Sequence, residues 1–177
     1  LEQRSGEETH LSPTFLVFIS VAAMNAALGL LLDQPILIVG AMVVGPEFGP
    51  LAALCVGIIR GRPRVIGRAV LTLLVGFAVA LAVTVLFSWA LAAMGLAGGQ
   101  QLLAARPLTS FIWRPDAISW IVASLAGVAG MLSLSTAKSG PLVGVLISVT
   151  TIAAAANAGL AIGYGVLDQA TGALTQL

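Results

Sequence analysis

The chain has 177 residues, of which 59 % are hydrophobic and 8 % are charged, and its net charge is +1. Soluble domains contain about 25 % charged residues, so this composition excludes an ordinary soluble domain and predicts an all-α integral membrane protein. A net charge this small gives no reason to expect nucleic acid as a partner, and the expected surrounding is the lipid bilayer. The single cysteine, Cys55, excludes a disulfide framework within one chain.

The N-terminal third of the chain predicts a polar segment followed by two membrane spans. Residues 1–12 are polar and too few to form a domain, whereas 13–177 carry the apolar segments. A bilayer core requires about 20 apolar residues of helix, and the first such segment is Pro13–Leu32, with Ser12 as its predicted cap. After a tight polar turn, the second segment, Ile36–Ile59, is long enough to span but is interrupted at Gly45–Pro50.

Three further spans are predicted in the remainder of the chain. A basic loop, Arg60–Arg68, precedes the third span, Ala69–Met94. The long connection Gly95–Asp116 contains one Gly-Gly pair, two Arg-Pro pairs and the aromatic residues Phe111 and Trp113, so we expect it to lie along a membrane interface. The fourth and fifth spans are predicted at Ala117–Ser135 and Leu142–Leu167.

Five spans separate the eight basic residues unequally between the two sides of the membrane. The positive-inside rule assigns the richer side to the cytoplasm, so the N-terminus is predicted to be cytoplasmic and the C-terminus external. The alternative is that Ile36–Ile59 forms a re-entrant hairpin, which leaves four true spans. The six residues on the predicted inner side are Arg4, Arg60, Arg62, Arg64, Arg68 and Lys138, against Arg106 and Arg114 outside.

Small residues recur every four positions in two of the predicted spans. Such stripes allow helix backbones to approach closely, either within one chain or between chains. Because five spans leave little room to enclose a polar path, we also predict a homo-oligomer. The two stripes are Gly45, Gly49, Ala53 and Gly57 in the second span and Ala155, Gly159 and Gly163 in the fifth.

Two sequence blocks resemble those of a known family. The run GAMVVGPEFGPLAAL (40–54), followed by a basic segment, and the run AGMLSLSTAKSGPLVGVLISVTT (129–151) are similar to two conserved blocks of the domain of unknown function 389 family. The resemblance implies a multi-pass protein of a bacterial or archaeal cell membrane. Because members often carry a soluble N-terminal domain, it also implies that 1–12 is the linker stub of such a domain. The family is suspected of transport, and no substrate class follows from it.

The interruption in the second span contains the chain's most unusual polar residue, Glu47. An ionisable group near the bilayer centre should face protein or water rather than lipid. Pro46 and Pro50 lack backbone N–H groups, so each leaves a carbonyl without its helical partner. One carboxylate, free carbonyls and half-helix ends together suit a cation or proton site; the alternative is a proline kink without any ligand. The predicted binding residues are Glu47, Gly45, Pro46, Gly49, Pro50, Asn25, Asn157, Thr150 and Thr151.

The expected function is therefore a transporter or channel for an unidentified small solute or ion. The alternative is a membrane anchor or signalling module that does not transport and that is coupled to a soluble cytoplasmic domain. We expect no enzymatic activity, because the sequence offers no nucleophile and base pair, no phosphate-binding loop and no paired carboxylates. No cofactor and no metal site are predicted.

Overall fold

A computed structural model describes residues 11–113, 121, 123–129, 132 and 140–177. These residues form helices and turns, and no strand occurs among them, so the all-α prediction is confirmed. Residues 123–129 are helical. The predicted stub lies outside the described residues except for Leu11 and Ser12, as does much of the predicted fourth span. The elements are α1 (Pro13–Leu31), α2 (Pro35–Val44), α3 (Phe48–Ile59), α4 (Pro63–Ala93), α5 (Gly99–Leu103), a 3₁₀ turn (Ser110–Ile112), α6 (Gly140–Gly163) and α7 (Leu167–Leu174).

Prolines begin three of the helices. A proline at the first helical position costs no hydrogen bond and already has a helical φ, and Pro13, Pro35 and Pro63 all stand there. The predicted cap of α1 is confirmed, because the Ser12 hydroxyl accepts a hydrogen bond from the Phe15 N–H at 3.1 Å. The prediction of a basic loop through residue 68 was wrong: α4 begins at Pro63, so the turn covers only residues 60–62.

Several helices end at a residue with left-handed backbone conformation. After α6, Gly165 has φ 76°, and the Val166 N–H donates to the Ala161 carbonyl at 2.7 Å, the bond that closes a helix end of this type. The predicted fifth span was therefore too long, since α6 ends at Gly163 and α7 begins at Leu167. The corresponding residues after α1, α3 and α4 are Asp33, Gly61 and Gly95.

Helix α6 occupies the centre of the bundle and packs against α1, α2, α4 and α7. Its residues 152–161 are all buried, and a helix that is apolar on every face suits this central position. Small residues bring it close to α4: a Cβ on Gly159 would lie 2.7 Å from the Cβ of Thr84. The stripe in α3 also packs within the chain, since a Cβ on Gly57 would lie 3.0 Å from Ile66 Cγ1 on α4.

The ends of the bundle are defined by contacts of α4. At its C-terminal end, the Trp89 indole donates to the Gly163 carbonyl at 3.0 Å. The turn at Asp33 lies at this same end, because Arg106 hydrogen-bonds both to Leu30, just before that turn, and to Asn157 on α6. We call it the Asp33 end. The contact of α3 with Ile66 places the turn at Arg60 beside the N-terminus of α4. That opposite end, the Arg60 end, lies a helix length of about 45 Å away.

Fewer membrane spans are found than the five predicted. Within the described residues, α1 and α4 are long and apolar enough to cross a membrane. Helices α2 and α3 pass the same test only as a pair, bent by 61°, which gives a third span if they cross together. The described side chains of α6 form a shorter apolar stretch, Thr151–Gly163. The described part of the chain thus gives two or three spans.

Candidate functional site

Glu47 lies buried at the junction of α2 and α3, with 1 % of its surface exposed. It occupies the position before the first residue of α3, but its side chain does not cap that helix. Instead the carboxylate folds back over Gly45, and a Cβ at position 45 would lie 2.9 Å from both the Cδ and Oε1 atoms of Glu47. The junction holds the carboxylate because residue 45 has no side chain.

The two prolines of the junction have different roles. Pro46 lies between the helices and cannot donate to the Met42 carbonyl, so it ends α2. Pro50 falls in the first turn of α3, where an N–H would have no partner within the helix in any case. Pro50 therefore starts α3 rather than breaking a helix, which corrects the expectation that both prolines interrupt one span. Pro50 and the predicted site residue Gly49 are both buried.

Contacts between α3 and α4 give the depth of Glu47 in the bundle. These helices are antiparallel, and Gly57 packs on Ile66. Glu47 is ten residues before Gly57, and Gly76 is ten residues after Ile66, so Glu47 and Gly76 lie at about the same level. This level is near the middle of α4, far from both ends of the bundle.

Thr151 lies at the level of Glu47 by the same reasoning. Helix α6 runs parallel to α4, and Gly159 packs on Thr84. Thr151 and Gly76 are each eight residues earlier, so they share one level with Glu47. The hydroxyl oxygen of Thr151 is buried and has no hydrogen-bond partner in the described part of the chain. The side chain of Thr150, another predicted site residue, lies outside the described residues.

The two predicted asparagines lie nearer the Asp33 end than Glu47 does. Asn157 follows Thr151 by six residues, which corresponds to about 9 Å. Its side chain is fully buried, and its Nδ2 atom has no hydrogen-bond partner among the described residues. Asn25 faces α2, since its Nδ2 would lie 3.5 Å from a Cβ on Gly40. The structure therefore brings Thr151 to the level of Glu47 and places both asparagines nearer the Asp33 end.

A second polar cluster surrounds Arg106, a residue for which the five-span prediction gives only a place in an outer segment. Arg106 is 5 % exposed. Its Nη2 donates to Gln169 Oε1 at 2.6 Å, and its Nη1 donates to Asn157 Oδ1 at 3.4 Å and to the Leu30 carbonyl at 3.5 Å. The Gln169 Nε2 donates to the Leu102 carbonyl at 3.2 Å. This Arg106 cluster joins α1, α5, α6 and α7 at the Asp33 end.

Asp33 anchors the segment that carries Arg106. Its Oδ1 accepts a hydrogen bond from the Thr109 hydroxyl at 2.8 Å, and its Oδ2 accepts one from the Leu108 N–H at 3.3 Å. Burial lowers the pKa of the Arg106 guanidinium, and the charge of Asp33 opposes this shift by raising it. Arginine nevertheless stays protonated in proteins, so the cluster holds a buried positive charge.

Sequence patterns contain little that marks Arg106 as buried. It belongs to no periodic segment and stands in a connection rich in glycine and proline, where an arginine is normally solvated. The single cue in the sequence is that apolar residues flank it, and two of these, Leu102 and Ile112, are buried in the structure. The prediction that this connection lies along an interface did not anticipate that it closes the bundle.

Comparisons with known proteins identify the family of this chain. The family model described as "Domain of unknown function (DUF389)" matches residues 42–177. The matched range includes Glu47 and Thr151, and it includes Arg106, Asn157 and Gln169 of the Arg106 cluster but not Leu30. Searches of curated proteins and of solved structures found no match.

Proposed function

Because the chain belongs to the family described as domain of unknown function 389, which specifies no activity, we infer its function from its site. We propose that it is a membrane transporter or channel for a small solute or ion, with Glu47 at the permeation or coupling site. The observation that carries the proposal is a carboxylate that is 1 % exposed at the junction of two half-length helices, near the middle of the bundle.

The position of the carboxylate suits reversible binding of a proton or a cation. Burying a carboxylate is costly unless it is neutralised or paired. The Glu47 carboxylate lies over Gly45, at the C-terminal end of α2, where the partial charge of a helix is negative and favours a cation or a proton. The same end carries the Met42 carbonyl that Pro46 leaves without its helical donor. An exchange of proton and cation at this place is the chemistry that we assign to Glu47.

Further polar atoms extend from this level toward the Asp33 end. The Thr151 hydroxyl and the Asn157 amide nitrogen are buried without partners in the described part of the chain, and buried polar groups normally bind water, an ion or protein. They lie on one helix about 9 Å apart, with Arg106 beyond Asn157. We propose that water or a passing solute binds these atoms on the way to Glu47.

The geometry of α2 and α3 favours a broken span over a re-entrant hairpin. The chain enters α2 at the Asp33 end and leaves α3 at the Arg60 end. With 10 and 12 residues bent by 61°, the two helices advance together by about 28 Å along their mean direction. This approaches the bilayer core of about 30 Å. A five-span domain with a cytoplasmic N-terminus remains our proposal for the whole chain. A homo-oligomer remains a prediction, although one chain already buries Glu47.

Flux measurements in liposomes test the role of Glu47. Glu47→Gln preserves the shape of the side chain and removes its charge, so we expect it to keep the fold while abolishing transport or its pH dependence. The matched control is Asp168→Asn, which makes the same chemical change at an exposed carboxylate. Proton-driven uptake of Na⁺ or K⁺ should be compared for the three proteins, together with their thermal stability.

Equal flux and an equal pH profile for Glu47→Gln and wild type would reduce Glu47 to a structural residue at a kink. Absence of flux from wild-type liposomes, with Glu47→Gln unchanged in stability and assembly, would favour the anchor or signalling module instead.

A further inference from the structure

A cavity of about 440 Å³ opens beside α5 at the Asp33 end. Its polar lining comes from Arg106, Ser110 and Gln169, and its walls include Leu103 and Trp113. The volume falls within the range of small-molecule sites, about 300–1,000 Å³. The cavity is separate from the Glu47 junction, because Arg106 in its wall contacts Asn157, which lies about 9 Å by helix rise from the level of Glu47.

Arg106 presents a fixed positive charge to this cavity. Its hydrogen bonds go from Nη1 and Nη2 to three neutral oxygens. A guanidinium has five N–H groups, so two of them, including that on Nε, make no hydrogen bond to a described residue. Gln169 is engaged at both ends of its amide, by Arg106 and by the Leu102 carbonyl. It therefore fixes the orientation of the guanidinium and leaves N–H groups available to a ligand.

The surroundings of the cavity indicate the membrane surface. Leu96, Leu103 and Leu108 are exposed on the connection that carries Arg106, and Trp113 lines the cavity. Exposed leucines and a tryptophan around a basic residue are typical of the level where lipid phosphates lie. A guanidinium also matches the geometry of a phosphate with two parallel hydrogen bonds.

We propose that this cavity binds a phosphate oxyanion through Arg106, with Gln169 as a positioning residue. The phosphate belongs either to a lipid headgroup or to a small phosphorylated molecule in solution. The site does not depend on transport through Glu47.

Ligand-dependent thermal stability of the delipidated full chain in maltoside detergent tests this proposal, since a ligand stabilises the state that binds it. The probes are phosphatidylglycerol, diacylglycerol with the same acyl chains, inorganic phosphate, and chloride at matched ionic strength. We expect phosphatidylglycerol to stabilise the wild type more than diacylglycerol does. Stabilisation by inorganic phosphate but not by chloride would identify a phosphate from solution as a ligand, and a response to the lipid alone would identify the headgroup.

Three variants and one control locate the binding. Arg106→Gln and Arg106→Lys should each weaken phosphate binding by about tenfold or more. Glutamine removes the positive charge, and lysine keeps the charge but lacks the planar guanidinium with its paired N–H groups. Ala105→Phe narrows the cavity from an exposed lining position without removing a bond of the cluster, and it should have the same effect. Arg68→Gln, at an exposed arginine of the Arg60 end, should bind like the wild type.

Three results would overturn the proposal. The first is equal stabilisation of the wild type by both lipids together with no specific response to phosphate. The second is unchanged phosphate binding in Ala105→Phe, which decides the matter if the Arg106 variants do not fold. The third is a loss of phosphate binding in Arg68→Gln equal to that in the Arg106 variants, which would indicate that phosphate is attracted to positive charge anywhere on the protein surface.

Discussion

The carboxylate of Glu47 lies directly against Gly45, in the space that a side chain at position 45 would occupy. This relationship explains why a glycine precedes the proline at the end of α2. It also means that a substitution at position 45 can move the carboxylate while Glu47 itself stays unchanged.

Gly45→Ala should displace the Glu47 side chain from its place over the end of α2. Inserting a methyl group into a filled site costs about 1–3 kcal/mol, so we expect a modest loss of thermal stability and a large loss of flux. Gly40→Ala is the control in the same helix, since its Cβ would lie at an ordinary 3.5 Å from Asn25 Nδ2. If Gly45→Ala keeps the wild-type flux, the position of the carboxylate is not the feature that transport requires.

Asp33 and Thr109 should be energetically coupled. Asp33 has φ 49°, which glycine tolerates without strain, so Asp33→Gly removes the acceptor of the Thr109 hydroxyl and keeps the turn. Thr109→Val removes the donor. In a double-mutant cycle followed by thermal unfolding, we expect a coupling of about 1 kcal/mol. Asp33→Asn, which retains an acceptor oxygen, should fall between wild type and Asp33→Gly. Additive effects of the two single changes would contradict the coupling.

The hydrogen bond between Gln169 and Arg106 should contribute stability that does not vary with pH. Gln169→Leu leaves a buried charge without its shortest hydrogen bond, 2.6 Å, which we expect to cost about 1.5–3 kcal/mol. Gln100→Leu, at an exposed glutamine of α5, is the control and should change stability little.

The sign of the pKa shift of Arg106 predicts how the stability difference between wild type and Gln169→Leu varies with pH. Burial lowers the pKa of Arg106 in the folded chain, so the protonated form opposes folding, and this penalty is relieved only when the pH rises above the lowered pKa. Arginine stays protonated throughout the accessible range. The difference in unfolding temperature between wild type and Gln169→Leu should therefore be constant from about pH 5 to about pH 9. If the difference in unfolding temperature disappeared at either end of this pH range, another group would be titrating in the cluster.

The junction of α2 and α3 could be predicted from the sequence, whereas the Arg106 cluster could not. Glycine, proline and an isolated glutamate inside an apolar run are local signals, because proline removes a hydrogen bond wherever it stands. The burial of Arg106 depends on contacts with Leu30, Asn157 and Gln169, which are 76, 51 and 63 residues away. No pattern within one segment encodes such contacts.

Helix ends show the same contrast between local and distant causes. Pro13 and Ser12 predicted the start of α1 correctly because capping acts within one turn. The apolar pattern extended the fifth predicted span to Leu167, but a glycine at position 165 in left-handed conformation ends the helix first. A helix can continue through a glycine in an apolar run or end at it. Which of the two occurs depends on whether the glycine adopts the helical or the left-handed backbone conformation.

Single-cysteine labelling tests the direction in which the chain crosses the membrane. Arg64 and Gln100 are exposed and lie near opposite ends of α4, so a spanning α4 requires that they label from opposite sides. Cys55 is itself exposed and must first be replaced by alanine. Because four arginines lie at the Arg60 end, the positive-inside rule predicts that positions 64 and 138 react from the cytoplasm and position 100 from outside. Labelling of both 64 and 100 from one side would contradict a spanning α4. Labelling of 64 from outside and 100 from inside would reverse the proposed orientation, and the buried Arg106 cluster would then face the cytoplasm.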